Sequence, residues 1–275
     1  MSLPRFHCDS LAPGLIHLDE SESRHALSSL RLRPGDEAVL FDGHGCWTIG
    51  KLQPATPTDK RNARRSATFI IQEIQHEPPL APSLTLIVAA CKGPRLSWMI
   101  EKLTELGTSR IVLAEFERSV VRASAGHAEK LRRTALEAAK QSQRAWLPEI
   151  VAGISLDDTI AVDPNSGWHG QAAAQKPDIV QSNASAACTC SSPASNPRLL
   201  IAHPDPHAAS AADEIRACIA DRIDLRIVIG PEGGLTDAEL SRLTTAAGRP
   251  IRLAPHILRI ETAALAVASL WAAQA

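Results

Sequence analysis

The sequence predicts an α/β protein: a parallel sheet with helices on both faces over most of the chain, preceded by a small β-barrel. Three observations predict it. From residue 84 onward, apolar β-branched runs alternate with segments of helical spacing, as in repeated strand–helix units whose strands are covered on both faces. Residues 1–76 instead carry short strand-like runs joined by glycine-containing turns. Between them, Pro78-Pro-Leu-Ala-Pro82 is a stiff stretch that marks a linker, dividing the chain into domains of 1–76 and 83–275.

In the first part, Glu22 to Leu30 reads as one short helix, stopped at Pro34-Gly35. Glu37–Phe41 and Trp47–Leu52 read as strands joined by the turn Asp42-Gly-His-Gly45, and Ala67–Ile71 as a third strand. Lys60 to Arg65 is a basic hairpin tip. In the second part, Leu84–Ala90 is a buried strand. Leu96, Met99, Ile100, Leu103 and Leu106 recur at helical spacing until Gly107. Arg110–Ala114 is the next strand and Ala128–Ser142 the next helix. Leu199–Ala202, Leu225–Ile229 and Ile251–Leu253 are further strands, with helices expected over 208–220, 237–247 and 261–273. Thr236 and Glu239 form a capping box that starts the middle one. Trp168 to Asn196 lacks periodicity, is too long for an ordinary connection, and reads as a mobile surface insertion.

An apolar fraction of 44% suits a globular core, and the net charge of −1 conceals a basic stretch. Between Cys91 and Trp146, eleven Lys/Arg stand against six Glu, which fits either a polyanion partner or solvated helix faces. The six cysteines show no C-x-x-C or Cys/His spacing, so no metal is expected and reduced, cytoplasmic thiols are. The first ten residues show no signal peptide, and no run of eighteen apolar residues suggests a membrane span.

Two segments carry the chemistry. Ile229-Gly-Pro-Glu-Gly-Gly-Leu235 follows an apolar strand and precedes a helix. It lacks the Lys-Ser/Thr of a triphosphate loop and the spacing of a dinucleotide fingerprint. Pro231 fixes a bend, and Gly233 and Gly234 permit positive φ and close backbone approach, which suits recognition of an adenine edge by main-chain groups. A plain strand-to-helix turn is the competing reading. Leu253 to Leu265 follows the last strand, with Pro255 keeping the chain extended and Arg259 and Glu261 at a loop–helix junction. An ordinary terminal helix is the alternative here. Both loops belong where ligand crevices of open α/β sheets form, beyond the carboxyl ends of strands.

The pair IGPEGGLTDAEL (229–240) and LAPHILRIETAALA (253–266) resembles the RsmE-type ribosomal RNA methyltransferases. KGPRLSWMIEKLTELG (92–107), EAAKQSQRAWLPEI (137–150) and RHALSSLRLRPGDEAVLFDGHG (24–45) resemble further motifs of that family, in the same order. The resemblance implies an N-terminal PUA-like barrel and a C-terminal SPOUT domain with a trefoil knot, a homodimer, and S-adenosylmethionine as cofactor. The activity it implies is methylation of N3 of a uridine in 16S ribosomal RNA of the small ribosomal subunit. It further implies a cofactor site of Ala202, His203, Ile229, Gly230, Pro231, Gly233, Gly234, Leu253, Ile257, Leu258, Thr262 and Ala263. Arg259, Glu261 and Arg144 are the implied catalytic residues, and Arg5, Arg24, Arg31 and Lys92 the RNA contacts. This chain departs from the family pattern at Ala254 (Gly in the family), His256 (a usual Arg or similar polar residue), Ile260 (Thr) and Gln143 (often Gly).

Uridine N3–H is a weak acid, so the site must favour its anion; a guanidinium from Arg144 or Arg259 beside the uracil oxygens would do so, with Glu261 orienting an arginine, accepting the proton or capping its helix. With no Tyr and only four Phe, the chain is poor in stacking platforms, which favours a folded, assembled RNA particle as target. A non-catalytic ribosome-assembly factor of the same fold is the rival; cofactor titration separates the two. A dinucleotide enzyme is disfavoured by the glycine spacing, and a transfer RNA or ribose-hydroxyl target keeps the chemistry but changes the substrate.

Overall fold

The computed structural model describes residues 3–54, 66–161 and 196–275. The basic tip at 60–65 and the insertion, save Asn196, lie outside the described residues.

The first sheet contains β1 (Arg5–His7), β2 (Gly14–His17), β3 (Glu37–Phe41), β4 (Cys46–Leu52), β5 (Thr68–Ile71) and β6 (Gln75–His76). Its order is β1-β3-β4-β5-β2, with β6 also on β4. Among the described residues, β1 and β2 are the two ends of this path. Side chains alternate as the pleat requires: along β4, Thr48, Gly50 and Leu52 point inward while Ile49 and Lys51 face out. Phe6, Leu40, Phe69 and Ile71 fill the inside. The expected helix at 22–30 is α1 (Glu20–Arg24), capped by Asp19, running into a π-helical turn over His25–Ser29.

The second sheet follows the strand–helix alternation. Its elements are β7 (Leu84–Ala89), α2 (Pro94–Glu105), β8 (Arg110–Glu115), α3 (Ala125–Ser142), β9 (Glu149–Ser155), α4 (Leu156–Ala161), β10 (Arg198–Ala202), β11 (Ala209–Ser210), α5 (Ala211–Ala220), β12 (Leu225–Ile229), α6 (Asp237–Thr245), β13 (Arg249–Arg252) and α7 (Ile260–Ala272). Every pairing is parallel, in the order β11-β13-β10-β12-β7-β8-β9. The central strands are buried on both faces over most of their length, as their largely apolar runs require. Helix α7 packs on α2, α5 and β7; its inward face of Ala263, Ala264, Val267 and Ala268 is small enough for close approach. Gln143, at the position often Gly in the resembling family, ends α3 in the left-handed region with φ 62°. A residue with a Cβ there is strained, which explains the glycine preference.

The two sheets meet along a bonded seam. The Asp42–Gly45 turn does not end in solvent: Gly45 N donates to Ala145 O at 3.1 Å and Leu147 N donates to Gly43 O at 2.9 Å. A Cβ on Gly45 would lie 2.6 Å from the Glu77 carbonyl and from the Trp146 ring, and its φ is 93°, so glycine is required twice over. The Trp146 indole N–H donates to Glu77 O at 2.8 Å. Lys140 of α3 pairs with buried Glu22 of α1 and, at 2.9 Å, with Glu137.

Candidate cofactor and catalytic site

Strands β13, β10 and β12 lie side by side, and the chain leaves each at the same, carboxyl end. Their exits line one cavity of about 430 Å³. Ala202 and His203 come from the end of β10, Ile229 to Leu235 from β12, and Arg252 to Ile260 with Ala263 from β13 and the start of α7, with Pro255 missing from the wall. Thus Ala202, His203, Ile229, Gly230, Pro231, Gly233, Gly234, Leu253, Ile257, Leu258 and Ala263, eleven of the twelve expected cofactor residues, line this one cavity. Ala254, His256 and Ile260, three of the departures, also line the wall. Thr262 does not: α7 turns it outward to an exposed position, opposite Ala263 and Ala264.

Each wall is locally braced. Gly234 N donates to Pro231 O at 2.8 Å, closing a turn, and Gly234 takes φ 73°. The capping box forms as expected: Thr236 N donates to Glu239 Oε2 at 2.8 Å. The other Glu239 oxygen accepts from Glu117 N at 2.8 Å, tying the segment after β8 to the helix behind the glycine loop. Arg118 donates to Gly233 O at 3.0 Å. On the second wall, Arg259 is the N-cap residue of α7 with ψ 157°; its side chain makes no cap bond, is exposed, and borders the cavity.

The three catalytic expectations part company. Arg259 lines the cavity. Glu261 is buried at 6% exposure and does not line it; it meets neither Arg259 nor Arg144 but the guanidinium of Arg95, at 3.2 Å. Arg144 is elsewhere in the chain. It donates to the carbonyls of Thr104 at 2.5 Å and Gly107 at 3.3 Å, binding the end of α2, and burial lowers its guanidinium to about 10. Within one subunit it lies away from the cavity and braces the end of α2, adding a side-chain donor to the Thr104 carbonyl, which also accepts from Gly107 N at 3.1 Å. Arg5, an expected RNA contact, is engaged within the chain. It stacks 5.2 Å from the Phe41 ring centroid and donates to Arg144 O at 3.3 Å, so it faces the seam. Arg24 is exposed and paired with Glu20 at 2.8 Å; Arg31 and Lys92 are exposed.

Sequence reasoning missed Glu232, Leu235, Pro204 and Arg252 as lining residues, and Arg95 and Arg118 as braces. Glu232 stood within the quoted loop, and Arg95 within the quoted KGPR segment. A smaller cavity of about 200 Å³ lies at the opposite, amino ends of β7, β8, β9 and β12, around the Arg110–Glu149 pair, and holds none of the expected residues. Among the described residues no cluster of metal-ligating side chains occurs, and no helix is long and apolar enough to cross a membrane.

Fold and site define an α/β domain with a backbone-walled small-molecule pocket at its strand ends, joined to a small β-sheet module. Residues 77–168 and 170–272 match the family described as RNA methyltransferase domain, and residues 18–57 match the RNA methyltransferase PUA domain. The chain belongs to the RNA methyltransferase domain family. It is 28% identical to Ribosomal RNA small subunit methyltransferase E of Mycobacterium bovis, over 94% of this chain and 87% of that protein. It is 28% identical to the Bacillus subtilis protein of the same name, over 89% and 84%. The solved structure of Ribosomal RNA small subunit methyltransferase E from Neisseria gonorrhoeae bound to S-adenosyl methionine has the same fold: TM-score 0.73 at 24% identity, covering 98% of this chain and 96% of that one.

Proposed function

We propose that this chain transfers a methyl group from S-adenosylmethionine to N3 of a uridine in 16S ribosomal RNA, acting as a cytoplasmic homodimer on the small ribosomal subunit. The observation that carries the reading is the convergence of the two motif loops on one cavity with Arg259 at its edge. The residues fit the cofactor. Apolar Ile229, Leu253 and Leu258 suit an adenine face, and the bent backbone at Gly230 to Gly234 offers main-chain donors and acceptors. At about 430 Å³ the cavity lies in the range of small-molecule sites. The names of the curated relatives support a small-subunit ribosomal RNA target.

When bound, the sulfonium supplies an electrophilic methyl carbon, so no covalent enzyme intermediate is required. The chain's own work is to hold the uracil in line and favour its N3 anion. The Arg259 guanidinium, bound to no carboxylate among the described residues, donates to a uracil oxygen and stabilises that anion. Glu261 serves the site as a strut through Arg95. Ile257, 86% exposed on the pocket rim, supports a subunit contact there, since a large apolar side chain beside a site marks an interface. The strand order supports the knotted threading: β13, the last strand, lies inside the sheet between β11 and β10, and α7 returns to pack on β7.

The test is methyl transfer from labelled donor to small subunits of a strain lacking the enzyme, with the product located by mass mapping. Arg259→Ala is expected to fold normally and to lose roughly 100-fold or more in turnover. Turnover at the wild-type rate in that variant removes Arg259 from the mechanism. A wild-type protein that binds no donor overturns the reading altogether.

A further inference from the structure

The geometry points to Arg95 as a positioning residue that pins the two walls of the donor pocket to each other. The inference rests on the reading of the cavity as the methyl-donor site. Arg95 stands in the first turn of α2, just past the end of β7, and belongs to neither pocket loop. Its Nη1 lies 3.4 Å from Glu232 Oε1 and 3.2 Å from Glu261 Oε1. Glu232 is the acidic residue of the glycine loop and lines the cavity. Glu261 follows Arg259 and Ile260, both lining residues of the other wall, by two positions and one. One guanidinium thus reaches a lining carboxylate of one wall and a buried carboxylate just behind the other, and its fork of donors is suited to that.

The two arms differ in kind. Glu232 is 56% exposed at its side chain, so its pair with Arg95 is screened and weak. Glu261 is 8% exposed, and its Oε2 is buried without a partner among the described residues. Arg95 is therefore the partner on which that buried carboxylate depends, and a buried carboxylate stripped of its partner is strongly unfavourable. Without Arg95, the first turn of α7 must shift to bring Glu261 to water. Arg259 and Ile260 ride on that turn. The glycine loop loses its tether in the same event. Donor affinity, which needs both walls in register, is where the loss falls.

The experiment is isothermal titration of the full chain with S-adenosylmethionine, together with steady-state methyl transfer. Arg95→Gln is expected to raise the donor Kd and KM about tenfold, with kcat at saturating donor within about threefold of wild type. Arg95→Lys, which keeps a cation, is expected to recover most of the affinity. Glu232→Gln is expected to weaken binding by about twofold to threefold alone and to add nothing in the Arg95→Gln background. Thermal unfolding of each variant reports on folding; Glu232→Gln changes an exposed side chain, so its coupling to Arg95→Lys carries the test where Arg95→Gln unfolds. Wild-type affinity in Arg95→Gln, or additive losses in the double variant, overturns the clamp while leaving the site's function intact. Absence of donor binding by the wild type overturns the function and the clamp with it.

Discussion

Replacing Lys140 by methionine isolates one term of the seam between the two sheets. The substitution keeps an unbranched stem and removes the ammonium. Glu22 is 5% exposed, and its Oε2 already lacks a partner among the described residues, so the carboxylate is left with nothing. Removing one member of a buried pair costs about 3–5 kcal/mol. Glu137 does not alter this figure, because its side chain is 69% exposed and its pair with Lys140 is worth under about 1 kcal/mol. At roughly 2–4 °C per kcal/mol, the melting temperature falls by roughly 6–20 °C. Burial pulls the Lys140 ammonium down, the hydrogen bonds to Glu22 and Glu137 outweigh it, and the net shift is upward. A base held up in the folded state stabilises it below its unfolded value, about 10.4, and that contribution is lost as pH rises through the folded value. The deficit of the variant is therefore flat from about pH 6 to 9. The double variant Lys140→Met/Glu22→Leu removes both charges and is expected within about 1 kcal/mol of wild type. Urea and thermal unfolding followed by circular dichroism measure both. A single variant as stable as wild type, or a double variant no better than the single, refutes the argument.

Arg144→Ala is expected to lower stability by about 1–3 kcal/mol, since the Gly107 carbonyl loses its side-chain donor while that of Thr104 keeps its bond from Gly107 N, and to change donor affinity by less than about twofold. Unchanged stability with lost donor binding would return Arg144 to the active site. Cys91 is buried at 4% exposure; burial, then the negative charge of Glu261, raises its thiol to about 11. Peptide-resolved labelling at about pH 8.5 is expected to modify Cys91 only after unfolding. Because the unfolded thiol ionises first, stability falls as pH rises between about 9 and 11, by on the order of 2–3 kcal/mol. Labelling of the native protein as fast as a free thiol contradicts this.

The long central strands were legible because a strand covered on both faces must be largely apolar, and β7, β8 and β12 are, with only Thr85, Arg110, Glu115 and Arg226 polar among them. β1, β2 and β11 were not, since two to four residues cannot display a period. β9 was hidden by its register shift at Leu113/Ala114 of its neighbour and by Gly153 within it. In the site, the loops were legible from their Gly/Pro bends together with the family resemblance. Thr262 falls outside the cavity wall because a motif quoted as a string ignores the helical turn: Ala263 and Ala264 face in, and Thr262 faces out. By sequence, Arg5 could not be sorted from an RNA-facing arginine, nor Arg144 from a catalytic one. Each spends its guanidinium on partners far along the chain or across the seam, and nothing local distinguishes such an arginine from a solvated one.

The antiparallel contact of Gly43 and Gly45 with Ala145 and Leu147 has a further consequence. It rivets the tip of a hairpin in the β-sheet module to the stretch that leads from α3 into β9, main chain to main chain. Because those bonds use no side chain, substitutions at Ala145 or Leu147 leave the rivet's donors and acceptors in place, whereas a Cβ at Gly45 would collide with it.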